Sequence, residues 1–471
     1  MFSELRDLFN IFFNAVVPLS IINYQLSIFS PIIVKVSHSQ PTIRTMVNRR
    51  SFFKKATALV SLAALPELVF SEELKAGINR VNNISPKLVA QDEDFWNLIK
   101  ESYTASATLI NLNNGGVSPS PKVVQDALDR FNKMANEGPS YFMWQILDKG
   151  RESLRKKIAD LAGCDIDEIA INRNTTEALD NIIFGLDLEK GDEVILTRQD
   201  YPNMINAWKQ REKRDGIIIK WVELELPTNS TDYLVKKYTE QITSRTKLVQ
   251  VNHIINWTGH INPVKEIADA VHAKGPEVMV DGAHTFGHFV FKIPELGADY
   301  YGTSLHKWLS SSIGTGILWI KKEKINKVWP LMGAPETQDI NNIRKFENLG
   351  TRSFPIEYSI ANAIDFHLMI GPERKEARLR YLKDYWTSKL TSYPKFKLNT
   401  SLDPKFSCAI ANFSIEGHEP GDIATKLFND HSIHCVSINW ENIHGVRIAP
   451  HVYTSISDLD RLVEGVLPFC K

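Results

Sequence analysis

The chain has 471 residues, 43% of them hydrophobic and 23% charged, and its 55 basic and 55 acidic side chains give a formal net charge of zero. That is ordinary globular composition at a length that accommodates two domains, and the balanced charge argues against nucleic acid or any other strongly electrostatic partner. The four cysteines, Cys164, Cys408, Cys435 and Cys470, form no CxxC, no disulfide framework and no zinc spacing with histidine, so no metal site is expected.

The N-terminus carries two competing signals. Leu8 to Val34 has no charged residue and is long enough to span a membrane. Pro18 and Pro31 interrupt it, and Asn10, Asn14, Asn23 and Gln25 dilute it. Next comes Met46, then Asn48-Arg49-Arg50-Ser51-Phe52-Phe53-Lys54-Lys55 and the apolar stretch Ala56 to Phe70. A basic region before a modest hydrophobic one is the layout of an export signal, and its Arg-Arg-x-Phe-Phe-Lys core is similar to a twin-arginine signal. The expectation is that translation starts at Met46, with residues 1–45 an over-extended start and 46–71 the signal of a periplasmic protein. A membrane-tethered protein with an uncleaved signal, or a cytoplasmic one, is the alternative.

Residues 72–108 read as an N-terminal helical segment: a linker from Ala76, then a helix up to Lys100 with Phe95, Trp96 and Ile99 on one face. Leu109 to Val117 (LINLNNGGV) is a short strand ending in a Gly-rich turn. Pro121 to Met134 is a helix with Pro at its start, Gly138 to Tyr141 a loop, and Arg151 to Ala162 an amphipathic helix. The strand Ile169 to Ile171 runs into Asn172-Arg173-Asn174-Thr175-Thr176-Glu177-Ala178-Leu179. Two readings fit that turn. One is a plain Thr N-cap with Glu in the first turn. The other is a phosphate site, in which free N–H groups and the helix dipole attract the anion and the Thr175 and Thr176 hydroxyls donate further bonds.

Further strands follow at Glu193–Thr197, Gly216–Glu223 and Thr246–His253, with helices at Thr231–Ile242 and Pro263–Lys274. The alternation predicts an α/β fold with a mainly parallel sheet covered by helices on both faces. Thr176, Tyr201, Asn256, Asp281 and His306 all fall just past strand ends. In such sheets ligands sit beyond those ends, so the candidates converge on one rim.

The most specific stretch is Val278 to Trp319. A short apolar strand ends in Asp281, Gly282-Ala283-His284 follows, then Thr303-Ser304-Leu305-His306-Lys307-Trp308, then Gly314-Thr315-Gly316 before another strand. A lysine amine and a strand-end carboxylate are what pyridoxal 5'-phosphate (PLP) requires: the amine for a Schiff base, the carboxylate to keep the ring nitrogen protonated. With Asp281 and Ser-x-His-Lys at this distance, the chain resembles the class V aminotransferase family. That resemblance implies PLP-dependent transferase fold type I, with a seven-stranded-type sheet in a large PLP-binding domain (residues 109–330) and a smaller C-terminal α+β domain (331–471).

The resemblance also implies roles. Thr175 and Thr176 belong to the phosphate loop, Ser304 and His306 add to it, and Tyr201 stacks on the cofactor face where many cysteine desulfurases carry His. Asn256 meets the phenolic oxygen, and His284 orients the cofactor or shuttles protons. Lys307 is released by an incoming amine and removes the α-proton. Gly116 lies at the substrate mouth, and Arg447 takes the substrate carboxylate through a planar bidentate fit. Thr351, in Gly350-Thr351-Arg352, reaches across a homodimer interface to the partner's phosphate.

Sulfur transfer needs a nucleophilic cysteine on a mobile loop just upstream of the C-terminal Arg, and Asn439 to Val446 contains none. The layout resembles the isopenicillin N epimerase branch, with its Gly-Thr-Arg turn and its ending Arg447-Ile448-Ala449-Pro450. The alternatives are a C–S lyase or desulfurase-like enzyme and a non-catalytic PLP-fold binding protein.

Overall fold

The structure is a computed structural model that describes residues 71–333 and 339–471. The expected over-extended start and twin-arginine-type signal lie, up to residue 70, outside these residues.

Seven strands form the main sheet: β1 (Ile169–Asn172), β2 (Glu193–Thr197), β3 (Ile218–Val222), β4 (Thr246–Asn252), β5 (Glu277–Asp281), β6 (Tyr300–Ser304) and β7 (Gly316–Ile320). Their spatial order is β1-β7-β6-β5-β4-β2-β3. All neighbours are parallel except β7, which runs antiparallel to both β1 and β6. Because β2 and β7 are buried at every position, the sheet needs cover on both faces. Alternate side chains provide the contacts. Val194, Leu196 and Met279 pack with Ile182, Met204 and Trp208 of the helices Thr175–Gly185 and Pro202–Asp215. Ile195, Val278 and Val280 pack on the other side with Ile158, Tyr238, Val271 and Ile364, from the helices Asp148–Ala162, Thr231–Thr239, Val264–His272 and Phe354–Ile370.

A second sheet joins β8 (Phe396–Leu398), β9 (Ala411–Ile415), β10 (Val436–Trp440) and β11 (Ile443–Ile448) in the order β8-β9-β11-β10, all antiparallel. Its core takes Trp386, Leu427 and Leu462 from the helices Pro372–Leu390, Pro420–His431 and Ile456–Cys470.

Four elements differ from the sequence expectation, one of them the loop expected at Gly138 to Tyr141, where Pro139–Tyr141 is a short helix. The strand β6, Tyr-Tyr-Gly-Thr-Ser, was not anticipated, because its residues carry no apolar alternation. The expected strand at Leu109 to Val117 shrinks to Ile110–Asn111 and pairs in parallel with Ile433–His434, outside the main sheet. The expected linker around Ala76 is the helix Glu72–Val81, capped by Ser71. Among the described residues no helix is long and apolar enough to cross a membrane.

Buried charge ties the sheet edge to the segment after β7. Both Glu347 oxygens meet the Arg155 guanidinium, the second at 2.9 Å, and one accepts the Ile171 N–H of β1 at 2.7 Å. Arg151 binds Glu347 at 2.8 Å and Glu357 at 2.7 Å. Arg352 bonds Glu357 at 3.2 Å and the Glu347 carbonyl, so it fastens this turn internally.

Candidate active site

The carboxyl ends of the parallel strands bring Asn252 of β4, Asp281 of β5 and Ser304 of β6 to one edge, with Asn252 paired to Asp281 in register. The antiparallel β7 begins at this edge, where Gly316 pairs with both Asn172 and Ser304. A Cβ on Gly316 would stand 2.7 Å from the Asn174 backbone, so only glycine lets the β1 turn lie against the sheet here. Beyond this rim opens a cavity of about 480 Å³. It gathers Thr175, Thr176, Tyr201, Asn256, Asp281, His284, Ser304, His306 and Lys307 from the large sheet side, and Gly116 and Arg447 from the other.

Lys307 is the only lysine lining the cavity among the described residues. Burial pushes its amine down to about 8, against the pull of the Asp281 carboxylate and with help from the Arg447 charge. Its Nζ lies 3.1 Å from His284 Nε2. Burial and the surrounding cations, Lys307 and Arg447 first, hold His284 neutral, well below its ordinary value. Asp281 Oδ1 accepts the Ala283 N–H at 2.9 Å, while Oδ2 makes no hydrogen bond among the described residues. Desolvation raises this carboxyl, opposed by the Ala283 N–H and Lys307.

At the helix start after β1, Asn174 caps by accepting the Glu177 N–H at 2.9 Å. Thr175 and Ser304 are already engaged with each other: the Thr175 N–H donates to Ser304 Oγ at 3.0 Å and the hydroxyls lie 2.7 Å apart. Among the described residues the Thr176 N–H has no partner, and its hydroxyl receives only a long bond of 3.4 Å from Asn203. His306 donates Nδ1–H to the Thr315 carbonyl at 3.1 Å, which leaves Nε2 free; burial pushes this imidazole down to about 4.

Arg447, next to last in β11, is buried and has no carboxylate partner among the described residues. It donates to Asn113 Oδ1 at 2.7 Å and to the Asn256 carbonyl at 3.1 Å, and its Nε has no acceptor. Desolvation pushes the guanidinium down to about 10. An un-neutralised cation in a cavity calls for an anionic group of the ligand. Tyr201 is 43% exposed and forms one wall, stacked with Trp257, which stacks in turn on Trp440.

Thr351 is exposed and lies outside the cavity of this chain. Asn252 was not singled out, although it lines the cavity and both amide atoms are buried without partners. The strand-end rule that marked Asp281 also marks this neighbour. No cysteine lines the cavity, and burial raises Cys164, Cys408 and Cys435 to about 12.

These groups fit PLP: an amine without a dedicated counter-ion, a carboxylate with a free oxygen, a helix N-terminus with a free N–H, and orphaned Asn252 amide atoms. The family model described as Aminotransferase class-V matches residues 110–462. A probable cysteine desulfurase of Halalkalibacterium halodurans is 28% identical over 383 residues, 76% of this chain and 92% of that protein. An isopenicillin N epimerase of Streptomyces clavuligerus is 25% identical over 388 residues, covering 79% and 97%. Among solved structures, the apo cysteine desulfurase of Thermococcus onnurineus NA1 superposes with TM-score 0.68 at 24% identity, covering 78% and 96%. A mutant of C-DES with glycine covalently linked to its PLP cofactor gives TM-score 0.69 at 20% identity, covering 79% and 99%. The chain belongs to the class V aminotransferase family of PLP-dependent enzymes, and its cofactor is pyridoxal 5'-phosphate.

Proposed function

We propose that this enzyme removes the α-proton of an amino acid whose carboxylate is held by Arg447, in the manner of the isopenicillin N epimerase branch. The observation that carries this is the buried Arg447 guanidinium, which has no acidic partner and opens into the cavity of Lys307. The Thr176 N–H at the helix start, with Thr175, Ser304 and His306 beside it, holds the cofactor phosphate. Asp281 Oδ2 keeps the proton on the ring nitrogen, Asn256 meets the phenolic oxygen and Tyr201 covers one face. Bound there, PLP supplies the electron sink that accepts charge developing at the α-carbon. Lys307 Nζ, which burial lowers to about 8, takes the α-proton in its free-base form and returns it. His284 Nε2 is the neighbour through which that amine is oriented. Thr351 belongs to the site of a partner subunit in a homodimer.

Sulfur transfer to a protein thiol is disfavoured, since none of the four cysteines lines the cavity. The test is proton exchange at the α-carbon in deuterium oxide with a panel of L- and D-amino acids. Deuterium incorporation with loss of chirality is expected, unchanged by Cys435→Ala. Sulfide or persulfide release from cysteine or cystine, without α-exchange elsewhere, would instead support the C–S lyase reading; no turnover of any amino acid would support a binding protein.

Arg447→Lys checks the carboxylate contact. A point charge replaces a planar fork, so KM is expected to rise about 10- to 100-fold, the worth of one charged hydrogen bond, with kcat much less affected. Steady-state kinetics on the amino acid found above would show it, and an unchanged KM would remove Arg447 from the substrate.

A further inference from the structure

Behind Lys307 lies a fully buried aromatic and basic assembly that the reading above leaves without a role. Trp308 sits between two imidazoles, His288 at 3.7 Å and 12° and His451 at 5.6 Å and 15°. Its carbonyl accepts a bond from Lys375, a buried amine with no carboxylate near it. His288 is fixed in turn. The Ala409 N–H donates to its Nε2 at 3.1 Å, so its Nδ1–H must donate to the His284 carbonyl, 2.8 Å away.

The indole N–H of Trp308 points at His284 Nδ1, 3.4 Å away. Indole nitrogen only donates, so Nδ1 of His284 must accept. A neutral His284 then carries its single proton on Nε2, the atom facing Lys307 Nζ. Two donors cannot share that 3.1 Å contact. The imidazole N–H must therefore meet the lone pair of an uncharged amine.

We propose that Trp308 is a positioning residue for Lys307: its indole N–H fixes His284 in the Nε2–H tautomer, and His284 then donates to the Lys307 amine and holds it as a free base. This deepens the proposed function, because it rests on Lys307 being the cofactor lysine. The other charged or titratable groups around the amine are Asp281, which favours the ammonium, and Arg447 and His306. The Trp308 contact decides among these because it selects what His284 presents. With the other tautomer, Nε2 would accept from an ammonium and stabilise it. The opposite sign follows from one proton's position.

The experiment uses the full chain with cofactor removed. Nitrogen shifts of ¹⁵N-labelled histidine, assigned by subtraction with His284→Gln, report the tautomer. Formaldehyde-dependent reductive methylation of Lys307, followed by mass spectrometry across pH, reports the free amine. In the native chain His284 is expected as the Nε2–H form. In Trp308→Phe, which retains a ring between the two histidines, the Nδ1–H form should appear. The midpoint of Lys307 reactivity should then rise by about one pH unit, roughly tenfold less free amine at neutral pH. An Nδ1–H form in the native chain overturns the proposal without any variant. So does a Trp308→Phe protein whose tautomer and reactivity midpoint both stay put. Failure of the cofactor reading looks different: no visible band forms when PLP is added back to the native chain.

Discussion

Lys307→Ala loses the visible absorbance band that the native chain forms with PLP, and its turnover falls by about 10²- to 10⁴-fold from loss of the general base alone. The basis is geometric. No other lysine among the described residues lines the cavity, and the buried Lys375 is bound to the Trp308 carbonyl. Burial already lowers the Lys307 amine to about 8, so a neutral nucleophile is available near physiological pH. The band and the rate should disappear together, while the thermal unfolding midpoint does not drop. An unaltered band with near-native turnover would mean that a different amine carries the cofactor.

Glu347→Gln unfolds far more easily than the native chain, by about 3–5 kcal/mol, because it leaves the buried Arg155 without a buried counter-ion and takes one of its two buried carboxylates from Arg151. Glu347 is 4% exposed and meets both Arg151 and Arg155, themselves buried, together with the Ile171 N–H. The exposed pair Lys156–Asp160 on the same helix provides the contrast: Asp160→Asn should cost about 0.5 kcal/mol or less. The pH dependence follows with a definite sign. Arg155 and Arg151 overcome desolvation and hold the Glu347 carboxyl at about 2, below its ordinary 4.5. Its contribution is therefore complete above pH 4.5 and is lost as pH falls toward 2. Urea titrations through that window should show a steep decline for the native chain and a flatter one for Glu347→Gln. Equal slopes and equal midpoints would mean that the cluster contributes nothing net.

The sequence carried the sheet where strands were continuous apolar runs: Glu193–Thr197 is observed with the expected bounds, and Val278–Val280 does end in Asp281. It did not reveal β6, whose Tyr301 hydroxyl is bonded by Thr285 and whose Gly302 lies against Leu179, contacts that propensity cannot anticipate. Nor did it show that β7 runs backwards, since strand direction is a tertiary property. The cavity residues were legible wherever a polar residue follows an apolar run, as at Asp281 and Asn256. Trp308 carried no role in the sequence beyond its place after Lys307. Its hydrogen bond to His284 spans 24 residues with no periodic signal linking the two.

The turn that carries Gly116 is fastened to segments that flank the second sheet: Ile110 and Asn111 pair with Ile433 and His434 just before β10, and Asn114 meets the carbonyl of Ala449 just after β11. Arg447 stands on the same sheet and grips Asn113 of that turn. The cofactor groups, by contrast, hang on the edge of the seven-stranded sheet. On the proposed reading, recognition and chemistry are thus written on separate scaffolds. Residues 109–117 and 433–449 form one jaw, and a family sharing a cofactor cradle can diversify what it bites by redrawing that jaw alone.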